Sequence, residues 1–172
     1  MARFTRRIKG WLMKFDRSIK ETVSRWPHVR IDQIEYAGDP CIDKMTTDTL
    51  DLFNTMCRDA ERHNGWLHRI NSSWRAKGSG QHPKGRAFDA VFFNEVPGDI
   101  DVWIQYRFAQ RYPWGGIGAY PFWNAPGLHL DTRQGLDHIA TWWREDKMGA
   151  TGKIVKIYRG IAETDAILGI TV

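Results

Sequence analysis

Apolar and polar positions follow two different rhythms along this chain. Phe4, Ile8, Trp11, Leu12, Phe15, Ile19 and Val23 recur at three- and four-residue steps, which predicts an amphipathic helix ended by Pro27. A second helical stripe, Leu50, Phe53, Met56, Cys57 and Ala60, predicts a helix from about Thr47 to His63. Thr47 or Asp48 can cap it, and Gly65 lies just past its end. Residues 28–45 between these helices read as irregular or extended, with a turn at Gly38-Asp39-Pro40. Strand-like runs follow over 66–74, 87–93, 117–120, 128–132 and 154–158. The strongest is Ala87–Phe93, apolar throughout except for Asp89. Further helices are expected over about 100–111, between Asp99 and Pro113, and over about Gly135 to Arg144.

Composition narrows the class. A length of 172 residues suits about one domain, and 42% apolar with 26% charged residues is a globular balance. A disordered or collagen-like chain is excluded, and no run reaches the roughly 18 apolar residues of a spanning helix. Cys41 and Cys57 are too few for a disulfide framework or an all-cysteine zinc cluster. Cys57, on the apolar stripe of its helix, reads as a small core residue. Nine tryptophans are present, five of them between Trp103 and Trp143.

Charge is unevenly spread. Residues 1–30 carry nine basic side chains against two acidic, so this stretch is +7 and the other 142 residues are −2. The segment 1–26 therefore has two readings: a helix that docks on an anionic membrane, polymer or larger assembly, or one that packs its apolar face on its own domain. It is not a secretory signal, because the apolar stretch around Gly10–Met13 is short and no small-residue cleavage site follows. No nucleic-acid readout motif accompanies the basic charge, so nucleic acid is not an expected partner.

Chemistry is suggested where polar groups stand in apolar surroundings. Asp89 interrupts a strand whose neighbours predict burial on both faces, and a buried carboxylate is costly unless paired or metal-bound. Seven residues earlier, His82 lies in the loop Gly80-Gln81-His82-Pro83-Lys84-Gly85-Arg86, whose glycines allow it to fold back on the strand. In Gly127-Leu128-His129-Leu130-Asp131, the leucines point one way, so His129 and Asp131 share the other face. His82, Asp89 and His129 have the ligand count of a catalytic zinc site with one open position. Nitrogen and oxygen ligands without thiolate favour zinc and leave other divalent metals open. The bland alternative for each histidine is an ordinary surface or core role.

The stretch from Leu67 to about Arg144, roughly half the chain, resembles the zinc D-Ala-D-Ala carboxypeptidase and murein-peptide peptidase family. Gln81-His82-Pro83-Lys84-Gly85-Arg86-Ala87-Phe88-Asp89 is similar to its Ser-x-His-x-x-Gly-x-Ala-x-Asp signature. Gly115-Gly116-Ile117-Gly118-Ala119-Tyr120 followed by Gly127-Leu128-His129-Leu130-Asp131 resembles its Gly-Gly-x-Gly-x-Tyr…His-x-Asp segment. Ile70-Asn71-Ser72-Ser73-Trp74-Arg75 resembles the strand ending in Ser-Gly-Tyr-Arg, and Arg133 with Trp142-Trp143-Arg144 fits a subgroup ending in Arg-x-Trp. The resemblance implies an α+β fold of the hedgehog/DD-peptidase type, a small antiparallel sheet with helices packed on it. It implies Zn²⁺ held by His82, Asp89 and His129, and Arg75 as the group that binds a substrate carboxylate. The implied reaction is hydrolysis of an amide in a peptidoglycan stem peptide.

Two departures from the family pattern matter. Gly80 stands where the serine before the first ligand is usual, and Pro126 and Gly127 stand where relatives carry a carboxylate or a second histidine. The general base is therefore unassigned. Asp131 is the nearest candidate, with the alternative that it orients a ligating imidazole; Glu95 and His138 are more remote. Trp74, Trp114, Tyr120 and Trp123 are candidate cleft walls, each with core packing as the alternative. The expected organisation is a basic helix (1–26), a peptidase-like domain (27–148) and a C-terminal extension (149–172). A wall substrate without a secretory signal suggests synthesis in the cytoplasm and action at the bacterial wall as a phage lysin or virion-associated protein. The competing function is a catalytically silent wall-binding or structural virion subunit on the same fold.

Overall fold

The computed structural model describes residues 24–136, 139–149, 151 and 153–160. The expected N-terminal helix therefore lies outside the described residues up to position 23, as does His138. Helix α1 (Thr47–Asn64) forms as its pattern predicts, burying Leu50, Phe53, Met56, Cys57 and Ala60. It stops at Gly65, in the left-handed region at φ 68°, where the Gly65 and Trp66 amides bond back to the Glu61 and Ala60 carbonyls. Helix α2 (Val102–Ala109) starts at Asp101, whose side chain accepts from the Trp103 amide. Among the described residues no helix is long and apolar enough to cross a membrane.

The strands are β1 (Glu35–Tyr36), β2 (Asp39–Pro40), β3 (Leu67–Ser72), β4 (Ala87–Phe93), β5 (Gly116–Tyr120), β6 (Gly127–Asp131), β7 (Ala140–Met148) and β8 (Ile154–Gly160). The first two make a small antiparallel hairpin, and the other six form one sheet in the order β3-β4-β6-β5-β7-β8. The fold is α+β, as expected, but the sheet is neither small nor purely antiparallel. Strand β7 lies parallel to β5 because the chain returns after β6 and pairs on β5's free edge.

The helix expected over 135–144 is replaced by β7. Thr141, Trp142 and Trp143 are β-branched and aromatic residues that suit a pleated, half-buried surface. Their alternation sends Trp143 against the core and Trp142 into the opposite face. Pairing with β5 on one side and β8 on the other completes the override of the expected helix.

Both helices cover one face of the sheet. Phe53 of α1 stacks on Phe88 of β4 with centroids 4.3 Å apart, and Phe108 of α2 meets Phe92 and Trp66 edge-on. Gln105, fully buried in α2, accepts from the Phe92 amide and donates to the Ile100 and Pro126 carbonyls, so no end of its amide is left unpaired. Leu128, Leu130, Ile117 and Ala119 complete this apolar layer. By strand alternation, Asp89, His129, Asp131, Gly116 and Gly118 must face the other way.

His68 of β3 sits in the apolar layer, edge-on to Phe53, with Nε2 buried and unpartnered. Burial pushes its pKa down to about 4 from 6.5. Between those values the unfolded chain binds more protons, so stability falls as pH drops from 6.5 toward 4, by on the order of 3 kcal/mol. Urea unfolding across that window should show this loss in the wild type and a shallower loss in His68→Leu.

Candidate metal centre

The site is assembled by strand register. In the ladder Asp89 of β4 lies directly opposite His129 of β6, which lies opposite Gly118 of β5, which lies beside Trp142 of β7. These four positions form a row on the face away from the helices.

His82 reaches the row from a single turn of 3-10 helix, His82–Lys84. Gly85 ends that turn at φ 68°, and a side chain there would collide with the Lys44 carbonyl. The loop is fastened on both flanks: the Thr46 amide donates to Gly85 at 2.8 Å and the Thr132 amide to Arg86 at 2.9 Å. Trp74 Nε1 donates across the loop to the Pro83 carbonyl at 3.1 Å. The expected fold-back of this loop is what the structure contains.

Three donor atoms converge. His129 Nδ1 is 2.8 Å from Asp89 Oδ1, and His82 Nε2 is 3.2 Å from both. Each ring's other nitrogen is committed. His82 Nδ1 donates to the Ser73 carbonyl, and His129 Nε2 donates to Asp131 Oδ2 at 3.0 Å. A carbonyl and a carboxylate can only accept, so the hydrogens sit on the remote nitrogens. Two imidazole lone pairs and a carboxylate oxygen are thus left facing one another, an arrangement that repels itself unless a cation lies between. The buried His82–Asp89–His129 group can hold a metal ion.

Electrostatics agree with that geometry. Burial would push the Asp89 carboxyl up, but the adjoining His129 and His82 rings hold it well below the usual carboxylate range. Burial disfavours a charged His129, and the two carboxylates beside it outweigh that and raise its pKa. The cluster is built to hold positive charge at its centre.

Asp131 stands behind the cluster rather than in it. It is fully buried, and both oxygens are occupied. Oδ1 accepts from the Arg133 amide at 3.0 Å and Nε at 2.8 Å, while Oδ2 accepts from His129 Nε2 and from Arg133 Nη2 at 2.6 Å. This geometry fits the orienting role and leaves no oxygen for a water. Arg133 lies over the Trp142 ring at 4.9 Å. A Cβ at Gly116 would meet Arg133 Nε at 2.6 Å, and one at Gly118 would meet the Trp142 indole at 2.5 Å. The bare glycines of β5 are what allow these two side chains to lie across it.

A cleft of about 570 Å³ opens over the cluster. Arg75, Tyr120 and Trp123 line it as expected, the last two stacked at 4.4 Å. Trp74 instead packs on Tyr36, and Trp114 is buried in the core, so neither forms a wall. Glu95 is exposed beyond the end of β4 and does not line the cleft. Trp142, Arg144, Lys156 and Tyr158 also line it. The helical reading of 135–144 gave Trp142 and Arg144 no place at the cleft, and the strand expected over 154–158 carried no sign that Lys156 and Tyr158 face it. A two-residue period starting at Ala140 is the signal that would have found Trp142 and Arg144.

No protein-family model matches this chain, and neither a curated protein nor a solved structure is detectably similar to it.

Replacing Arg133 by Met leaves Asp131 buried with half its donors gone. Metal affinity, measured by competition with a chromogenic chelator, should fall about 10- to 100-fold, as when other partners of ligating residues are removed. Gly118→Ala should displace Trp142 and cost about 1–3 kcal/mol in denaturant unfolding, with a shifted tryptophan emission.

Proposed function

We propose that this protein is a zinc peptidase that hydrolyses an amide bond in peptidoglycan stem peptides. The observation that carries the reading is the convergence of two imidazole lone pairs and one carboxylate oxygen, each imidazole fixed by a bond to its remote nitrogen. An N,N,O donor set with room for a further ligand suits zinc in a catalytic rather than a structural role. The resemblance of the segments around His82, Asp89 and His129 to murein peptidases supplies the substrate class.

In this reading His82, Asp89 and His129 hold Zn²⁺, which when bound polarises a carbonyl and makes a neighbouring water more acidic, toward a pKa of ~7. Arg75, exposed at the cleft, offers a planar, permanently charged fork to a substrate carboxylate. Tyr120, whose pKa burial pushes up to about 12, keeps its proton at neutral pH and serves as a hydrogen-bond donor rather than a base. Asp131 fixes the orientation of His129. Cationic side chains (Arg75, Arg133, Arg144 and Lys156) surround the cleft and favour an acidic peptide. The protein would act at the bacterial wall as a lysin or virion-associated enzyme, with residues 1–26 as its docking segment for a membrane or virion partner.

One observation favours a second reading, a catalytically silent wall-binding or virion subunit. Among the described residues Asp89 is the sole carboxylate lining the cleft, so a general base is not evident.

Incubation with zinc and purified sacculi separates the two. The peptidase reading expects new amino termini that vanish with a chelator, return with zinc, and do not form with His82→Ala. Retention on sacculi without any zinc-dependent product would replace it with the silent reading.

A further inference from the structure

Of the four cations around the cleft, two already have a carboxylate of their own. Arg133 is forked to Asp131, and Arg144 is forked to Asp146 through two contacts of 2.7 Å. Arg75 and Lys156 make no ion pair among the described residues, although both line the cleft. Lys156 lies opposite Asp146 in the β7–β8 ladder, yet Arg144 takes both oxygens of that aspartate. Lys156 thus feels the Asp146 carboxylate only at a distance, and among the described residues neither it nor Arg75 is held in an ion pair of its own.

Their placement is diagonal. Arg75 follows β3, the strand at one edge of the sheet, and Lys156 is on β8 at the other edge. Along the strands, Lys156 is paired with Asp146, four positions beyond Trp142 and hence beyond the row that carries Asp89 and His129. The His–Asp cluster therefore lies between the two cations. A third group points to a ligand in the same cleft. Gln81, the residue before His82, lines the same cleft, and its Oε1 has no donor among the described residues, an arrangement that a ligand N–H would relieve.

We propose that the cleft selects an extended peptide with carboxylates on both sides of the scissile amide, one engaged by Arg75 and the other by Lys156. A backbone N–H between them donates to Gln81. This inference rests on the peptidase reading for the position of the scissile amide, and makes β8 the strand that determines specificity. Lys156 suits the task because its ammonium rides on a flexible stem and meets a carboxylate as a point charge.

The test is calorimetric binding of two stem peptides to the zinc-loaded protein. In one peptide both carboxylates are free; in the other the carboxylate remote from Arg75 is a carboxamide. The wild type should bind the free form about five- to tenfold more tightly, an effect that declines with added salt. Lys156→Met should abolish that preference and leave the affinity for the amidated peptide within about twofold, as expected for a partly exposed charge. Gln81→Leu should weaken both peptides alike. Equal binding of the two peptides by the wild type, persistence of the preference in Lys156→Met, or no binding of either would overturn the proposal. Product formation is scored separately. Cleavage without preference retains the peptidase and removes this inference, whereas preference without cleavage removes the peptidase and leaves only the recognition of two carboxylates by Arg75 and Lys156.

Discussion

A carboxylate cut off from water has to be neutralised by its neighbours, and the arrangement around Asp131 follows from that requirement. Arg133 supplies the counter-charge as a bidentate fork, and His129 supplies a third side-chain hydrogen bond. The fork can lie flat only because Gly115 and Gly116 present no side chains beneath it. Trp142 then closes over the guanidinium, and Gly118 leaves space for the indole. One buried charge thereby dictates the glycine pattern of β5, the contents of β7 and the direction in which His129 presents its free nitrogen.

The sheet makes this possible by dividing labour between its faces. Phe88, Leu128, Leu130 and Ile117 bury the side under α1 and α2, where shape and apolar area decide the packing. The neighbouring positions on the same strands carry the polar network. Because side chains alternate strictly, the apolar face fixes register, and register brings Asp89 opposite His129. Precision at the polar site is a by-product of packing on the other side.

Much of this was legible in the chain. The stripe from Leu50 to Ala60 gave α1 nearly to the residue, and one aspartate in the apolar run Ala87–Phe93 located β4 and its polar face. Local patterns reached His82, Asp89 and His129 because each is flanked by residues that announce its surroundings. They failed at 135–144, where a helix was expected and the strand that forms instead is set by pairing with β5, a contact that no local window contains. The size and mixed character of the sheet were missed for the same reason. Arg144 lost its place in the far wall with β7, and Lys156, on a strand that was expected, turns to the cleft only through the pairing of β8 with β7. Asp131 was visible as a candidate, but its role depends on how many donors reach it, and only the folded arrangement supplies that count.

The three converging donors also have a thermodynamic meaning. His82 and His129 are 47 residues apart in sequence, and the unfolded chain has no reason to bring them together. An ion that binds all three therefore binds the native state almost exclusively, and acts as a removable cross-link closing a long loop. The fold's persistence is then tied to the free concentration of that ion, so surroundings rich or poor in metal would set how long the protein survives as well as what it can do.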